Sequence, residues 1–311
     1  MSPRDADPGR RSALRLLLAP LALPLLGASP LHPRSDDPLL LRRIPGTAEV
    51  LPAVGLGSWI TFNVGDDPAG RARSTAVIRA FLDSGGRLID SSPMYGSAQE
   101  VIGDALLEIE KPRFFSADKV WTSRGSRGGE QMERSRRLWH VRRFDLLQVH
   151  NLLAWEEHLP TLLAMKKEGR VRYVGITTSH GRRHGELEAI MRRQPIDFIQ
   201  VTYNPVDREV EQRLLPLALD RGIAVIVNRP FQQGALTERL SRSPLPAVAR
   251  EIGCRTWAQL VLKFILSHPA VTCVIPATTV PAHARENDDA ARGAMPEESL
   301  RRRIVAEIER I

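Results

Sequence analysis

The sequence has few residues that could cross-link it or bind zinc. Its 311 residues include only two cysteines, Cys254 and Cys273, and they form no C-x-x-C pair, so neither a disulfide framework nor a metal site is indicated. Aromatic residues make up only 5% of the chain. The net charge is +8, but no block of lysine and arginine is long enough for a nucleic-acid-binding arm. We therefore attribute the charge to an arginine-rich surface and expect no nucleic-acid partner.

The first thirty residues have a pattern typical of export rather than of a folded domain. A basic region with the pair Arg10-Arg11 precedes an apolar run at 16–26, and small residues follow. The run is too short to span a bilayer comfortably and contains two prolines. Residues 1–30 thus resemble a twin-arginine export signal, which delivers folded proteins to the periplasm. The alternative is a disordered basic tail on a cytoplasmic protein.

The rest of the chain divides into a linker and one folded domain. Residues 31–43, with two prolines and several charges, are typical of a linker. In residues 44–311, apolar runs alternate with helical patterns roughly every thirty residues, which indicates a parallel sheet. We also expect a hairpin over 42–50. The eight predicted strands lie at 54–59, 88–90, 115–122, 144–150, 171–176, 198–201, 224–227 and 271–275.

Eight strand–helix units fit a single-domain (β/α)8 TIM barrel of the α/β class better than an open sheet. The 42% apolar content is sufficient for such a core. No G-x-G-x-x-G follows the first strand, which argues against a Rossmann cofactor domain.

Polar residues concentrate at the carboxyl ends of these strands, where a barrel of this kind places its chemistry. Asp90 ends the second strand, Lys119 lies in the third and His150 ends the fourth. A buried acid needs a cationic partner, so we expect Asp90 to pair with Lys119 and make Tyr95, in the following loop, a proton donor. Taken singly, an aspartate at a strand end is more often a capping or turn-forming residue than a catalytic one. A single histidine is likewise more often hydrogen-bonded within the structure than catalytic. The combination on adjacent strands carries the prediction.

The motifs around these residues resemble those of the aldo-keto reductase family over roughly residues 42–290. The resemblance implies reduction of aldehydes or ketones to alcohols by hydride transfer from NADP(H), and a tetrad of Asp90, Tyr95, Lys119 and His150. Lys119 would lower the pKa of Tyr95, and His150 would orient the carbonyl. The motifs are GLGSW at 55–59, IDSSPMYG at 89–96, DLLQVHN at 145–151, GRVRYVG at 169–175 and VIPATT at 274–279.

The same resemblance implies a set of cofactor-binding positions. They are Gly57, Ser58, Thr177, Thr178, Gln200, Asn228, Phe231, Thr278, Thr279, His283, Glu286 and Asn287. Thr178 stands where the family has asparagine, and Asn228 where it has a ring-stacking tyrosine. Ala277 and His283 replace the lysine and arginine that hold the 2′-phosphate, with Arg285 the nearest substitute. We expect NADP(H), with NAD(H) as the alternative.

The sequence says less about the substrate-binding part of the site and about binding partners. Trp59 and Trp121 are candidates to line the substrate pocket, and the charged C-terminal helix predicts an open pocket without a lid. We expect a small carbonyl substrate, no membrane contact beyond the export machinery, and a monomer or weak oligomer. Two alternatives stay open: a non-catalytic cofactor-binding subunit, and a barrel acting on phosphorylated metabolites without redox chemistry.

Overall fold

A short antiparallel ribbon precedes the main sheet. In the computed structural model, which describes residues 37–311, β1 (Leu41–Arg43) pairs with β2 (Val50–Pro52). The chain turns at Pro45 and Gly46, and the φ of +73° at Gly46 suits glycine. The predicted hairpin is confirmed, and the last three residues of the predicted linker are strand β1. The predicted export signal lies outside the described residues.

Eight parallel strands follow, each hydrogen-bonded to the next in chain order. They are β3 (Leu56–Gly57), β4 (Leu88–Asp90), β5 (Phe115–Val120), β6 (Phe144–Val149), β7 (Val171–Thr177), β8 (Phe198–Thr202), β9 (Ala224–Asn228) and β10 (Val271–Val274). The sheet closes on itself through a parallel bridge between Val54 and Val274, supported by a 2.8 Å bond from the Gly55 N–H to the Val274 carbonyl. The predicted (β/α)8 barrel and its eight strands are confirmed.

The first barrel strand is shorter than predicted, and the glycines at 55 and 57 lie very close to neighbouring backbones. A Cβ on Gly55 would lie 2.9 Å from the Leu88 carbonyl oxygen, and one on Gly57 would lie 2.9 Å from that of Ile275. Both distances are closer than a side-chain carbon tolerates. The glycines therefore fit β3 against its neighbours on both sides of the closing seam.

The helices surround the barrel at the predicted intervals. They are α1 (Pro68–Asp83), α2 (Ala98–Leu107), α3 (Gly128–Leu138), α4 (Trp155–Lys167), α5 (His184–Arg193), α6 (Leu214–Arg221), α7 (Ala235–Ser241), α8 (Ala247–Glu251), α9 (Trp257–Leu266), α10 (Pro281–Asp289) and α11 (Glu298–Glu309). Asp67 caps α1 by accepting from the Ala69 and Gly70 N–H groups. Helices α7 and α8 were not predicted, because they are short and proline and glycine interrupt the surrounding sequence.

The core has two parts. One lies between the sheet and the helices, and the other fills the barrel's interior. Ile44 and Leu51, from the β1–β2 ribbon, are buried with the interior side chains Leu88, Phe115 and Phe198, which are the first residues of their strands. Burial of each such side chain stabilises the fold by about 1.5–3 kcal/mol. The ribbon therefore covers the amino end of the barrel and leaves the carboxyl end for ligands.

Three further findings apply to residues 37–311. No helix there has the length and apolar character needed to cross a bilayer. No three histidine, cysteine, aspartate or glutamate side chains are grouped so that they could bind a metal ion. Both cysteines are buried and free.

Candidate active site

The barrel's interior changes from apolar to polar along each strand. Because side chains alternate across a strand, every second residue points inward. In β4 the buried pair is Leu88 then Asp90, and in β5 the inward row is Phe115, Ala117 and then Lys119. The rows of β6 to β9 also end in polar side chains, which are Gln148, Thr177, Gln200 and Asn228. A ring of buried and half-buried polar groups therefore forms at the carboxyl end.

The predicted contact between Asp90 and Lys119 is present and fully buried. The Lys119 Nζ lies 2.5 Å from Asp90 Oδ2 and donates to the Ser91 carbonyl at 2.8 Å. Asp90 Oδ1 accepts from Gln200 Nε2 at 2.9 Å and from Gln148 Nε2 at 3.4 Å. Burial is the largest single influence on the pKa of Lys119 and would lower it, but the charge of Asp90, the phenol of Tyr95 and the hydrogen bond to Asp90 together exceed it, and the pKa is raised. Lys119 is therefore held in its charged form.

Tyr95 lies beside this pair. Its ring contacts His150 edge-on, with centroids 5.6 Å apart, and Trp59 at 6.5 Å, while the Lys119 Nζ is 5.3 Å from the ring centroid. Burial raises the pKa of Tyr95 to about 12, although the charge of Lys119 acts to lower it. The expectation of a lowered pKa is therefore wrong in its net direction, because desolvation exceeds the effect of the ammonium. Tyr95 is protonated at neutral pH and can donate a proton.

The hydroxyl of Ser92 is hydrogen-bonded to a ring nitrogen of His150. The Ser92 Oγ lies 2.7 Å from His150 Nδ1 and accepts from the Met94 N–H at 3.2 Å. A hydroxyl that accepts from an amide can give its own proton to Nδ1, which leaves the proton of the neutral ring on Nε2. Burial and then the charge of Lys119 lower the pKa of His150 to about 2. The ring is therefore a neutral hydrogen-bond donor.

We expect the imidazole of His150 to stay neutral across the physiological pH range. A pKa of about 2 places its protonation far below pH 5. Long-range ¹H–¹⁵N NMR of protein labelled at histidine should show one pyrrole-type and one pyridine-type nitrogen for His150, unchanged from pH 5 to 8. Exposed His140 serves as an internal reference. A His150 signal that titrates in this range would contradict the assignment.

Asn228 belongs to a hydrogen-bond chain that reaches Asp90. Its Nδ2 donates to the Thr178 carbonyl at 2.9 Å and approaches Gln200 Oε1 at 3.4 Å, and its Oδ1 accepts from the Thr202 hydroxyl at 2.7 Å. Gln200 in turn donates to Asp90. The side chain that occupies the expected stacking position is thus fixed by polar contacts and supports the Asp90 carboxylate.

One cavity of about 580 Å³ opens at this end of the barrel, within the range of about 300–1,000 Å³ typical of ligand sites. It extends from the tetrad to the loop after β10 and the helix α10. Most of the predicted site residues line it: Gly57, Ser58, Trp59, Asp90, Tyr95, His150, Thr177, Gln200, Asn228, Phe231, Thr278, His283, Glu286 and Asn287.

Four predicted residues do not line the cavity. Lys119 lies beneath it, against Asp90. Thr178 follows the last inward residue of β7, and its hydroxyl is buried without a partner among the described residues. Thr279 is exposed. Trp121 is also exposed, and the side chain of Gln131 in α3 hydrogen-bonds its backbone N–H and backbone carbonyl.

The prediction assigned no role to several residues at the mouth. Ser92 lies inside the motif at 89–96, yet nothing in the sequence shows that its hydroxyl reaches His150. Arg229 directly follows Asn228 at the end of a strand, and that position predicts its place at the mouth but not its role. Arg182 lies in the loop after β7 and has no comparable signal.

Comparisons with known proteins agree with this geometry. The Aldo/keto reductase family model matches residues 53–303. The methylglyoxal reductase YeaE of Escherichia coli is 30% identical over 247 residues, covering 76% of this chain and 84% of that protein. An NADH-specific methylglyoxal reductase of the same organism is 25% identical, covering 79% and 92%. A Klebsiella pneumoniae aldo-keto reductase, crystallised with NADPH, has a TM-score of 0.71 and 25% identity, covering 86% of this chain and 94% of its own.

Proposed function

Because the chain belongs to the aldo/keto reductase family, we propose that it reduces aldehydes and ketones to alcohols with a nicotinamide cofactor, NADP(H) or NAD(H). The observation that carries the proposal is the buried Asp90–Lys119 pair, with the ring of Tyr95 beside its ammonium and against His150. These groups lie at one end of a cavity long enough to extend to α10.

Each residue of the tetrad has a separate role in the proposed reaction. When bound, the nicotinamide supplies a hydride to the carbonyl carbon. As negative charge develops on the carbonyl oxygen, the Tyr95 hydroxyl donates its proton there, and the Lys119 ammonium stabilises the tyrosinate that remains. Asp90 keeps that ammonium charged and in place. The neutral Nε2–H of His150 hydrogen-bonds the carbonyl oxygen and orients the substrate.

The lining of the cavity fits a dinucleotide. Two buried polar atoms of lining residues, Thr61 Oγ1 and Arg229 Nη1, have no partner in the part of the chain that the structure describes, as is expected where a polar ligand binds. At the α10 end, Glu286 and Asn287 would hold the adenosine portion. At the tetrad end, Ser58 donates to the Asp90 carbonyl at 2.8 Å, Gln200 donates to Asp90 Oδ1 at 2.9 Å, and Thr177 also lines the cavity.

The structure bears on the choice between the two cofactors. Among the lining residues at the α10 end, Glu286 carries a negative charge and none is lysine or arginine, while Arg285 is exposed and outside the lining. A 2′-phosphate would therefore find little positive charge there. Fluorescence titration of the purified protein with NADPH and NADH measures the preference. This lining weakens the case for NADP(H), which is expected from the family motifs, and NADH binding that equals or exceeds NADPH binding would overturn NADP(H) as the preferred cofactor.

Replacing Ser92 by alanine should reduce the rate of carbonyl reduction about tenfold. Without its hydroxyl, the ring proton of His150 is no longer fixed on Nε2, and a fraction of molecules lacks the donor. The ¹⁵N shifts of His150 should show mixed tautomers in Ser92→Ala. Ser74→Ala, another buried serine, in α1, is the control. Unchanged kcat and an unchanged nitrogen pattern in Ser92→Ala would exclude this role.

The assay that tests the proposed function uses 4-nitrobenzaldehyde and NADPH. Oxidation of the nucleotide together with formation of the alcohol is the expected result. Tight nucleotide binding without turnover of any aldehyde would instead favour the non-catalytic cofactor-binding subunit. Turnover of a phosphorylated metabolite without nucleotide would favour the third alternative.

We also propose that residues 1–30 direct export to the periplasm by the twin-arginine route. The support is the sequence pattern alone, with Arg10-Arg11 before the apolar run. A route for folded proteins would let the barrel acquire its nucleotide before export. Cell fractionation of the full chain should place it in the periplasm, and Arg10→Lys/Arg11→Lys should retain it in the cytoplasm. An equal distribution of both proteins would contradict the proposal.

A further inference from the structure

A second buried carboxylate lies next to the tetrad and has no part in the chemistry described above. Asp118 immediately precedes Lys119 in β5 and is fully buried. Because side chains alternate across a strand, Lys119 points into the barrel and Asp118 points outward to the helices. Within residues 37–311 no cationic side chain forms an ion pair with Asp118, since the Lys119 ammonium pairs with Asp90. A carboxylate is rarely buried without such a pair, so we expect this one to have a specific role.

Hydrogen bonds surround Asp118 in place of a cation. Its Oδ1 accepts from the Lys119 N–H at 2.7 Å, and its Oδ2 accepts from Gln99 Nε2 at 2.6 Å. The same nitrogen of Gln99 donates to the Ser135 hydroxyl at 2.8 Å. Both groups that contact the carboxylate are donors, which matches its ionised form because an ionised carboxylate only accepts. Asp118 therefore connects β5 to α2 through Gln99, and Gln99 connects α2 to α3.

This connection joins the two chain segments on which proton donation depends. The carboxylate contacts the backbone of Lys119 directly. Gln99 lies in the first turn of α2, which begins three residues after Tyr95, and the first N–H of that helix, from Ala98, donates to the Tyr95 carbonyl at 3.2 Å. The carboxylate thus links the strand that carries the ammonium to the start of the helix that follows the phenol.

We propose that Asp118 is a positioning residue for the proton donor, because its carboxylate holds the Lys119 backbone and Gln99 together and so fixes the spacing between the Lys119 ammonium and the Tyr95 hydroxyl. This inference rests on the proposed reductase function and adds a residue to it. Asp118 does not line the cavity, so it acts through Lys119 and Gln99 alone. Misplacement of a reacting group by about 1 Å can cost about 10²-fold in rate, so such a connection can control turnover without contacting substrate.

The charge of Asp118 acts on Tyr95 in the opposite sense to its hydrogen bonds. Burial raises the pKa of Asp118 to about 7, although the bonds from the Lys119 N–H and Gln99 act to lower it. Its negative charge acts to raise the pKa of Tyr95, which by itself would make the phenol a weaker acid. Comparison of pH 8, where Asp118 is ionised, with pH 6 distinguishes the two effects. The side chains that act on Asp118 or neighbour it, from every adjoining element, are Lys119, Asp90, Tyr95, Gln99, Ser135 and Leu147.

The test compares Asp118→Asn with a variant that reverses the hydrogen-bonded pair. At pH 8, kcat of Asp118→Asn for 4-nitrobenzaldehyde should fall about tenfold, with KM and the nucleotide dissociation constant within about twofold of wild type, because the new amide meets a donor on both sides. The loss should be smaller at pH 6, where protonation of the wild-type carboxyl removes the same acceptor. In Asp118→Asn/Gln99→Glu, the new amide donates to the new carboxylate and still accepts from the Lys119 N–H, so kcat should return to within about threefold of wild type.

Asp145→Asn is the matched control. Asp145, in β6, also accepts from a backbone N–H of β5, that of Ser116, at 2.8 Å, but at the amino end of the barrel. Asp145→Asn should keep the wild-type kcat at both pH values. Loss of turnover in this variant equal to that in Asp118→Asn would show that any such aspartate matters for stability alone, and would overturn the specific role of Asp118.

Hydrogen exchange tests the connection independently of catalysis. Exchange of the backbone amides in the first turn of α2, measured by mass spectrometry, should be faster in Asp118→Asn and should return to the wild-type rate in the reversed pair. That result would support the connection even if the wild type reduced no aldehyde, an outcome that would count against the reductase function only. Unchanged exchange in Asp118→Asn, a reversed pair that turns over no faster than Asp118→Asn, or an Asp118→Asn protein faster than wild type at pH 8 would overturn the proposal.

Discussion

Tyr95→Phe should lower kcat for aldehyde reduction by about 10²–10⁴-fold, the range associated with loss of a general acid. The change removes only the hydroxyl, so the ring keeps its contacts with His150 and Trp59. The dissociation constant for the nucleotide should stay within about twofold of the wild-type value. Steady-state kinetics with 4-nitrobenzaldehyde and fluorescence titration of the nucleotide measure the two effects.

Tyr173→Phe is the matched control for this variant. Tyr173 lies at the opposite end of the barrel, where its hydroxyl donates to Glu49 at 2.7 Å. The Tyr173→Phe protein should be somewhat less stable than the wild type but should turn over the aldehyde at the wild-type rate. A Tyr95→Phe protein with wild-type kcat would remove Tyr95 from the role of proton donor.

Lys119→Met should be the most damaging substitution in the barrel. It leaves the Asp90 carboxylate buried with hydrogen bonds only from Gln200 and Gln148. Breaking a buried ion pair in this way costs about 3–5 kcal/mol of the free energy of unfolding. Turnover should fall as well, because Tyr95 loses the neighbouring ammonium that stabilises its ionised form. Urea denaturation and kinetic assays measure the two losses.

A double variant distinguishes the effect of the unpaired Asp90 charge on stability from the effect of the lost Lys119 side chain. Asp90→Asn/Lys119→Met keeps an oxygen for Gln200 and removes the unpaired charge, so it should recover about half of the lost stability while remaining inactive. Lys263→Met is the control, because Lys263 is also buried but donates to the Arg292 and Ala294 carbonyls far from Tyr95. It should keep its activity. A double variant no more stable than Lys119→Met would show that an unpaired charge is not the cause.

The barrel and the tetrad could be predicted because local sequence determines them. Apolar runs at regular intervals give parallel strands, and the change from Leu88 to Asp90 or from Phe115 to Lys119 marks the polar end of each inward row. The polar residues Asp90, Thr177, Gln200 and Asn228 lie in phase with such rows, and all four line the same cavity. Gln200 and Asn228 are predicted from their places at strand ends together with the family motifs.

The remaining features depend on tertiary contacts that the sequence does not encode locally. Burial is the main reason that the pKa of Tyr95 is raised, and the extent of this burial is known only once the chain is packed. Trp121 is in phase with the inward row of β5, but it lies one residue beyond the end of the strand and is exposed outside the lining of the cavity. The role of Ser92 depends on a contact across 58 positions of the chain. These are features of packing, and no periodicity predicts them.

Transfer of hydrogen from nucleotide to substrate tests the central claim most directly. The purified wild-type protein is incubated with 4-nitrobenzaldehyde and NADPH deuterated at both C4 positions, and the alcohol is analysed by mass spectrometry. Carbonyl reduction by hydride transfer predicts an alcohol with one deuterium on its benzylic carbon. An unlabelled alcohol, or none from any aldehyde despite bound nucleotide, would contradict the account.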